Sequence, residues 1–243
     1  MDQLNNYADN RLLRGCIYCG GLADTRDHVP SKCLLERPYP PNLPVVGCCD
    51  SCNQDFSKDE VYFVCLIESI LCESTDPEKI GRPSVAKIMK ESPVLRKRIE
   101  DSLIEVDGQV AFVPEKERVH NVMLKLARGH AAFELSQPCR EKPNYFWCGP
   151  LLSLPQETRE SFNSVHIQQI FGEVGTRNMQ RLLVTQMTLM SENGKPYNVE
   201  MIINDWIDVQ DGQYRYIAID DIGTLVIRIV IAEYYACEVA WKL

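Results

Sequence analysis

The pattern of apolar and polar positions divides the chain of 243 residues into three parts. Residues 1–60 are rich in Cys, Pro, Gly and Asn and contain few long periodic segments. From about residue 54 apolar residues recur at helical spacing, and beyond about residue 140 the pattern favours strands. The sequence therefore predicts an α+β fold, with a short N-terminal unit, a helical segment and a C-terminal, mainly antiparallel β region.

Helices are predicted in three places. The first begins in "SKDEVYFVCLIESILCES", where Ser57 and Glu60 form a capping-box pattern before an apolar stripe. The second covers 84–104 and is kinked or split by Pro93. The third covers 114–136. Its expected buried stripe contains Val119, Val122, Met123, Leu126, Ala127 and Phe133.

Strands are predicted from β-branched and aromatic segments that flank turn signals. A short pair at 104–114 has "DGQ" as its turn, and "SENGKP" separates the next pair. The expected later strands are 181–190, 197–205, 213–219 and 224–241, the last as one long strand or two.

These patterns predict two regions along the chain. Residues 1–74 form a metal-stapled unit with its following helix, and residues 75–243 form an α+β region of unknown role. In the second region, helices are expected at about 84–136 and strands at about 181–241.

Composition narrows the functional classes. Apolar residues make up 45% and charged residues 25% of the chain, as in ordinary globular proteins. The sequence contains no run of 18 apolar residues, so no membrane span is predicted. The N-terminus lacks an apolar signal core, so a cytoplasmic protein is expected. The net charge of −8 argues against a general electrostatic grip on nucleic acid, although a local basic patch remains compatible with it.

Four of the eleven cysteines form two CxxC pairs, "CIYC" with Cys16 and Cys19, and "CDSC" with Cys49 and Cys52. Two thiolates at this spacing can bind one tetrahedral ion, so the two pairs predict a closed structural zinc site. Cys48 is an alternative to Cys49, which is preferred because its spacing to Cys52 matches the first pair. The other cysteines are expected in the core. They are Cys33, Cys65, Cys72, Cys139, Cys148 and Cys237.

Polar residues of a particular kind lie between and directly after these pairs. Asp27 and His28 stand in the strand-like "TRDHVP", Asn42 lies in "PPNLP", and Asn53 follows the last cysteine. The order CxxC…DH…N…CxxCN resembles the HNH (ββα-metal) endonucleases, in their zinc-stapled, four-cysteine branch. The resemblance covers roughly residues 14–62, a quarter of the chain.

The resemblance implies a site that hydrolyses phosphodiester bonds. His28 is the expected general base, and Asp27 and Asn53 are the expected ligands of a catalytic Mg²⁺ or Mn²⁺. Asn42 is expected to hold the catalytic loop through its side chain. Asn53 stands where the family name implies a second histidine, so all basic chemistry rests on His28.

The resemblance also implies a substrate, namely nucleic acid, with DNA preferred over RNA. Arg26 and Lys58 are candidate phosphate contacts. A role in bacterial defence or mobile-element biology is typical of such proteins. A homodimer or a protein partner is compatible with the acidic charge.

Two other functions remain open from the sequence. In the first, the zinc pairs are the scaffold of a non-catalytic protein- or nucleic-acid-binding module, and Asp27–His28 is a polar turn. In the second, the chain is an RNase. The remaining histidines, His120, His130 and His166, are expected to be surface or satisfied core residues. The "YRY" at 214–216 can stack on bases, although a strand explains it as well.

Overall fold

The computed structural model describes residues 4–106 and 109–243 and has an α+β fold. The helices are α1 (Asp50–Leu71), α2 (Pro83–Glu91), α3 (Pro93–Glu100), α4 (Lys116–Leu135), α5 (Gln156–Asn163) and α6 (Arg177–Arg181). The strands are β1 (Thr25–His28), β2 (Val45–Cys48), β3 (Leu103–Val106), β4 (Gln109–Phe112), β5 (Tyr145–Pro150), β6 (His166–Gln168), β7 (Leu183–Met190), β8 (Pro196–Asn204), β9 (Ile207–Gln210), β10 (Tyr214–Asp221), β11 (Thr224–Ile231) and β12 (Tyr235–Lys242).

Four antiparallel sheets organise the described strands. The largest has the order β5-β12-β11-β10-β9, and a three-stranded sheet has the order β6-β8-β7. The hairpins β1-β2 and β3-β4 stand apart from these two sheets. Alternate residues of β11, namely Leu225, Ile227, Ile229 and Ile231, are buried, so the large sheet has one consistently buried face.

Helix α4 lies at the centre of the molecule. It packs against α1 and against β10, β11 and β12 of the large sheet. The main core consists of buried residues from these elements and extends to Leu34, Leu35 and Leu43 of the N-terminal segment. Residues from both predicted regions therefore share one hydrophobic core.

A smaller core lies under the N-terminal unit. Ile17, Tyr18 and Val46 pack there against Ala132 and Phe133 from the last turns of α4. The N-terminal unit thus completes its small core with side chains from a helix that follows it by more than forty residues.

Most of the predicted elements are confirmed. The second predicted helix is split at Pro93 into α2 and α3, and the third corresponds to α4 with its whole predicted stripe buried. The segment 224–241 forms two strands, β11 and β12. The predicted "DGQ" turn includes residues 107–108, which lie outside the described residues.

The prediction that Ser57 begins the first helix is wrong. Helix α1 begins seven residues earlier at Asp50, with Cys49 as its N-cap, and the Cys49 thiol accepts a hydrogen bond from the backbone N–H of Cys52. Glu60 is therefore an interior residue of the helix. The elements β5, α5, β6, α6 and β9 were not predicted, because they are short and lack clear periodicity.

The remaining histidines have partners in the fold. His130 is buried, stacks on Tyr216 and shares a hydrogen bond of 2.8 Å with Tyr214, and burial lowers its pKa to about 3. His166 contacts Asp221 at 2.9 Å. His120 lies at the surface against Phe146. His120 and His166 fit the prediction of surface or satisfied residues, whereas the buried Nδ1 of His130 has no hydrogen-bond partner among the described residues.

The segment "YRY" and the scattered cysteines also behave as ordinary structural residues. Tyr214 and Tyr216 are buried in β10, as the strand interpretation predicts. The six cysteines that were expected in the core pack in or against the main core. In the ranges 4–106 and 109–243, none of the helices combines the length and the apolar character needed to cross a lipid bilayer.

Candidate metal and catalytic site

The N-terminal residues form a ββα unit. Strands β1 and β2 pair antiparallel, with Thr25 opposite Cys48 and His28 opposite Val45, and α1 follows β2 after one residue. The hydroxyl of Thr25 donates to the carbonyl of Cys48 at 2.9 Å. The β1-β2 pairing therefore fixes the position of His28 relative to the first turn of α1, which contains Asn53.

The two CxxC pairs meet at one end of this unit. The Sγ atoms of Cys16, Cys19, Cys49 and Cys52 all lie within 4.8 Å of one another. The first pair sits in a tight turn in which the N–H of Gly20 donates to the carbonyl of Cys16 at 2.8 Å, and Gly20 has a φ of +83° that favours glycine. Four thiols at this spacing can hold a metal ion such as zinc, and they match the predicted ligand set.

Cys48 is not a member of the cluster. Its thiol is fully buried in the small core and donates to the carbonyl of Cys49 at 3.2 Å. Burial, followed by the nearby Cys16, raises the pKa of the Cys48 thiol to about 12. The structure therefore places Cys49 in the cluster, as its spacing predicts.

The electrostatics of the four thiols suit a cation. Burial opposes ionisation of Cys16, but backbone N–H groups of Cys19, Cys49 and Tyr18 prevail and lower its pKa to about 6. Burial and the neighbouring thiols raise the pKa of Cys52. Like charges this close resist joint ionisation, and a bound metal ion removes that repulsion.

A cleft of about 250 Å³ opens beside the ββα unit. It gathers three of the predicted catalytic residues, because Asp27 and His28 of β1 and Asn53 of α1 all line it. Arg26, a predicted phosphate contact, also lines it, and Lys32 is a second basic residue that the sequence analysis did not select. The cleft therefore brings Arg26, Asp27, His28 and Asn53 together.

Asn42 and Lys58 lie outside this cleft. Asn42 is exposed in a turn before β2, and its side chain makes no hydrogen bond to any described residue. Lys58 is exposed on α1, whereas Ser57 and Glu60 face the cleft. The structure therefore provides no contact that supports a loop-holding role for Asn42 or a phosphate contact by Lys58.

His28 is half-buried at the cleft. Neither of its ring nitrogens is hydrogen-bonded to a residue in the described parts of the chain, 4–106 and 109–243. Burial, and then the charge of Lys32, lower its pKa, against the opposing effect of Asp27. The imidazole is therefore neutral near pH 7 and has a lone pair that can accept a proton.

Asp27 is more deeply buried than its neighbour His28, although both line the cleft. It is only 6% exposed, and its Oδ2 accepts a hydrogen bond of 2.6 Å from the hydroxyl of Tyr18. Burial, and then the charge of Asp27, raise the pKa of Tyr18 well above its ordinary value, so the phenol stays a donor.

The ammonium of Lys125 lies between two carboxylates at the buried side of the cleft. Its Nζ lies 2.9 Å from Oδ2 and 3.1 Å from Oδ1 of Asp27, 2.7 Å from Oγ of Ser31, and in contact with Oε1 of Glu60. The Lys125 side chain is 1% exposed. Burial alone would lower its pKa, but Glu60 and Asp27 outweigh this effect and raise it, so the ammonium is charged.

A glycine allows α4 to come this close. A Cβ at Gly129 would stand 2.6 Å from a methyl group of Val29, so only glycine fits between the helix and the residue after β1. Lys125 lies one turn before Gly129, and Asp27 lies two residues before Val29 on the same side of the extended chain. The close approach of α4 to Val29 at Gly129 thus brings the Lys125 side chain within reach of Asp27.

Sequence patterns did not indicate a role at the site for Ser31, Glu60 or Lys125. A signal existed for Lys125, because its position falls within the apolar stripe of α4, between Val122 and Leu126. A lysine on a buried stripe requires a paired carboxylate. Which carboxylates pair with it depends on tertiary structure and could not be read from the spacing.

Comparisons with known proteins give no family for this chain, since no family model, no curated protein and no solved structure matches it.

The first prediction concerns the zinc ligands. Cys52→Ser and Cys16→Ser should each lower the zinc content of the purified protein, from about one ion per chain, and destabilise the fold, because each removes a thiolate from a four-ligand site. Cys48→Ser is the matched control and should keep its zinc. Elemental analysis with thermal unfolding measures both effects, and full zinc in Cys52→Ser would rule out ligation by the four-cysteine cluster.

The second prediction concerns the buried ammonium. Lys125→Met should lower the free energy of unfolding by about 3–5 kcal/mol, because it leaves Asp27 and Glu60 buried without their cation. Lys58→Met removes an exposed lysine and should change stability by less than about 0.5 kcal/mol. Denaturant titration compares the two, and equal stability of both variants would show that Lys125 does not compensate the carboxylates.

Proposed function

We propose that the chain is a metal-dependent HNH-type endonuclease that hydrolyses phosphodiester bonds in nucleic acid, with DNA as its substrate. The observation that supports it is the cleft, because a four-cysteine ββα unit brings His28, Asp27 and Asn53 to one place. The three residue types belong to the pattern that resembles HNH endonucleases, and they converge although twenty-five residues of sequence separate His28 from Asn53.

His28 is the general base in this proposal. Its neutral imidazole accepts a proton from a water molecule as the water oxygen attacks phosphorus, and the bond from phosphorus to the leaving oxygen breaks. The β1-β2 hairpin holds the ring at the mouth of the cleft while its ring nitrogens remain free of described partners. The ring can therefore meet a substrate without first breaking an internal hydrogen bond.

The residues of the cleft fit a hard divalent cation such as Mg²⁺ or Mn²⁺. The half-buried side chain of Asn53 has no hydrogen-bond partner among the described residues, so its amide oxygen is available as a ligand. When bound, the cation neutralises charge that develops on the phosphate. Asp27 fits the ligand role less well, because both of its carboxylate oxygens already contact donors.

Two basic residues suit the phosphate backbone. Arg26 and Lys32 are exposed and line the cleft on either side of His28 in the sequence. Backbone contacts of this kind position a nucleic acid without reading its sequence. They provide a local basic patch on a chain with a net charge of −8, which the proposal requires.

The third prediction tests the activity. Purified protein with Mg²⁺ or Mn²⁺ should cleave supercoiled plasmid, and His28→Ala should slow cleavage by about 100-fold or more, because it removes the general base. His120→Ala is the matched control, since His120 is exposed and does not line the cleft. It should cleave at the wild-type rate.

The outcomes separate the candidate functions. Equal cleavage by wild type and His28→Ala, or no cleavage with any cation, would reject the nuclease and favour a non-catalytic binding module. Parallel reactions with single-stranded DNA, double-stranded DNA and structured RNA identify the substrate. Faster cleavage of RNA than of either DNA would make the protein an RNase.

A further inference from the structure

The buried ion cluster of Asp27, Glu60 and Lys125 leaves one carboxylate oxygen unused. The ammonium of Lys125 donates its three N–H groups to Asp27, Ser31 and Glu60. Ser31 donates its own hydroxyl to Oε1 of Glu60. Both of these contacts with Glu60 involve Oε1, so Oε2 has no hydrogen-bond partner among the described residues.

This free oxygen, Oε2 of Glu60, lies at the cleft. Glu60 is only 8% exposed, yet it lines the cleft. Its Oε2 has no hydrogen-bond partner in the described part of the chain but is not fully buried, so this oxygen is accessible to solvent. The accessible part of the carboxylate therefore faces the cleft, while Oε1 is fixed from behind by Lys125 and Ser31. A carboxylate held in this way is preorganised to bind a cation at its free oxygen.

Asp27 is in the opposite situation. Its Oδ2 accepts from Tyr18 and contacts Lys125, and its Oδ1 also contacts Lys125. Both oxygens of this carboxylate are therefore already in contact with donors. Asp27 is thus committed to holding β1 against α4, next to His28.

The spacing along α1 supports Glu60 as a ligand. Asn53, Ser57 and Glu60 follow one another at intervals of four and three residues, so they lie on one face of the helix, and all three line the cleft. Long side chains in a helix point toward its N-terminus, which directs the Glu60 carboxylate toward Ser57 and Asn53. Amide, hydroxyl and carboxylate oxygens are the ligands that Mg²⁺ and Mn²⁺ accept.

The charges of the cluster favour a cation as well. Two carboxylates and one ammonium give the cluster a formal charge of −1 at a place where the protein excludes most water. Such a charge is costly unless a further cation compensates it. The cleft beside Glu60 is the accessible place for that cation.

We infer that Glu60 is a ligand of the divalent cation in the cleft, together with Asn53, and that Asp27 is a positioning residue. This inference rests on the proposed function for the presence of the cation. It assigns the carboxylate ligand to α1 rather than to β1. It also gives Lys125, from α4, the task of orienting both carboxylates.

The test is a titration with Mn²⁺ alone, followed by electron paramagnetic resonance, on the zinc-loaded full chain. Glu60→Gln should weaken Mn²⁺ binding by on the order of tenfold more than Asp27→Asn does. Each substitution removes one negative charge from the same cluster, so the difference between them reports direct ligation. Glu68→Gln is the matched control, since Glu68 lies on α1 beside Arg82 and does not line the cleft.

Zinc content and circular dichroism must match wild type for a variant to be compared. If Glu60→Gln does not fold, Glu60→Asp replaces it, because it keeps the charge and withdraws the oxygens by one methylene group. It should also bind Mn²⁺ more weakly than Asp27→Asn does. Equal or greater weakening by Asp27→Asn, or a wild-type protein that binds no Mn²⁺, would overturn the inference.

The same titration separates this inference from the proposed function. If Glu60→Gln binds Mn²⁺ more weakly than Asp27→Asn does, and the protein cleaves no nucleic acid, the nuclease is rejected and Glu60 remains a ligand. If cleavage depends on His28 but Glu60→Gln binds Mn²⁺ as tightly as the wild type, the nuclease proposal stands and Glu60 is not a ligand.

Discussion

The contact of the Lys125 ammonium with Asp27 and Glu60 is the constraint on which the site depends. A lysine with 1% of its side chain exposed must be compensated, and the two carboxylates that compensate it come from a strand and a helix of the N-terminal unit. One buried cation therefore fixes β1, α1 and α4 relative to one another. His28, adjacent to Asp27, takes its position from this arrangement.

The four-cysteine cluster complements that contact at the other end of the unit. The N-terminal segment has few apolar side chains of its own and buries them against the last turns of α4. Such a segment requires further links, and a metal bound by Cys16, Cys19, Cys49 and Cys52 would join the loop before β1 to the start of α1. The predicted zinc site and the buried ion cluster thus both hold the same ββα unit together, and Asp27 and Glu60 of the ion cluster line the cleft.

Local spacing predicted the α+β class, the split at Pro93, the buried stripe of α4, and the choice of Cys49 over Cys48. These features depend on residues close in sequence or on a fixed ligand spacing. The role of Glu60 was misread because its distance from Ser57 matches a capping box, whereas the thiol of Cys49 caps α1 instead. Lys125 could not be assigned because its partners lie 98 and 65 residues away, where spacing carries no information.

The most direct test of the account is anomalous diffraction from crystals of the zinc-loaded protein soaked in Mn²⁺. The account predicts a zinc peak equidistant from the four cysteine sulfurs and a separate manganese peak in the cleft, bounded by His28, Asn53 and Oε2 of Glu60. A cleft without manganese, in crystals that contain zinc at the cysteines, would contradict the assignment of a cation-dependent catalytic site to this chain.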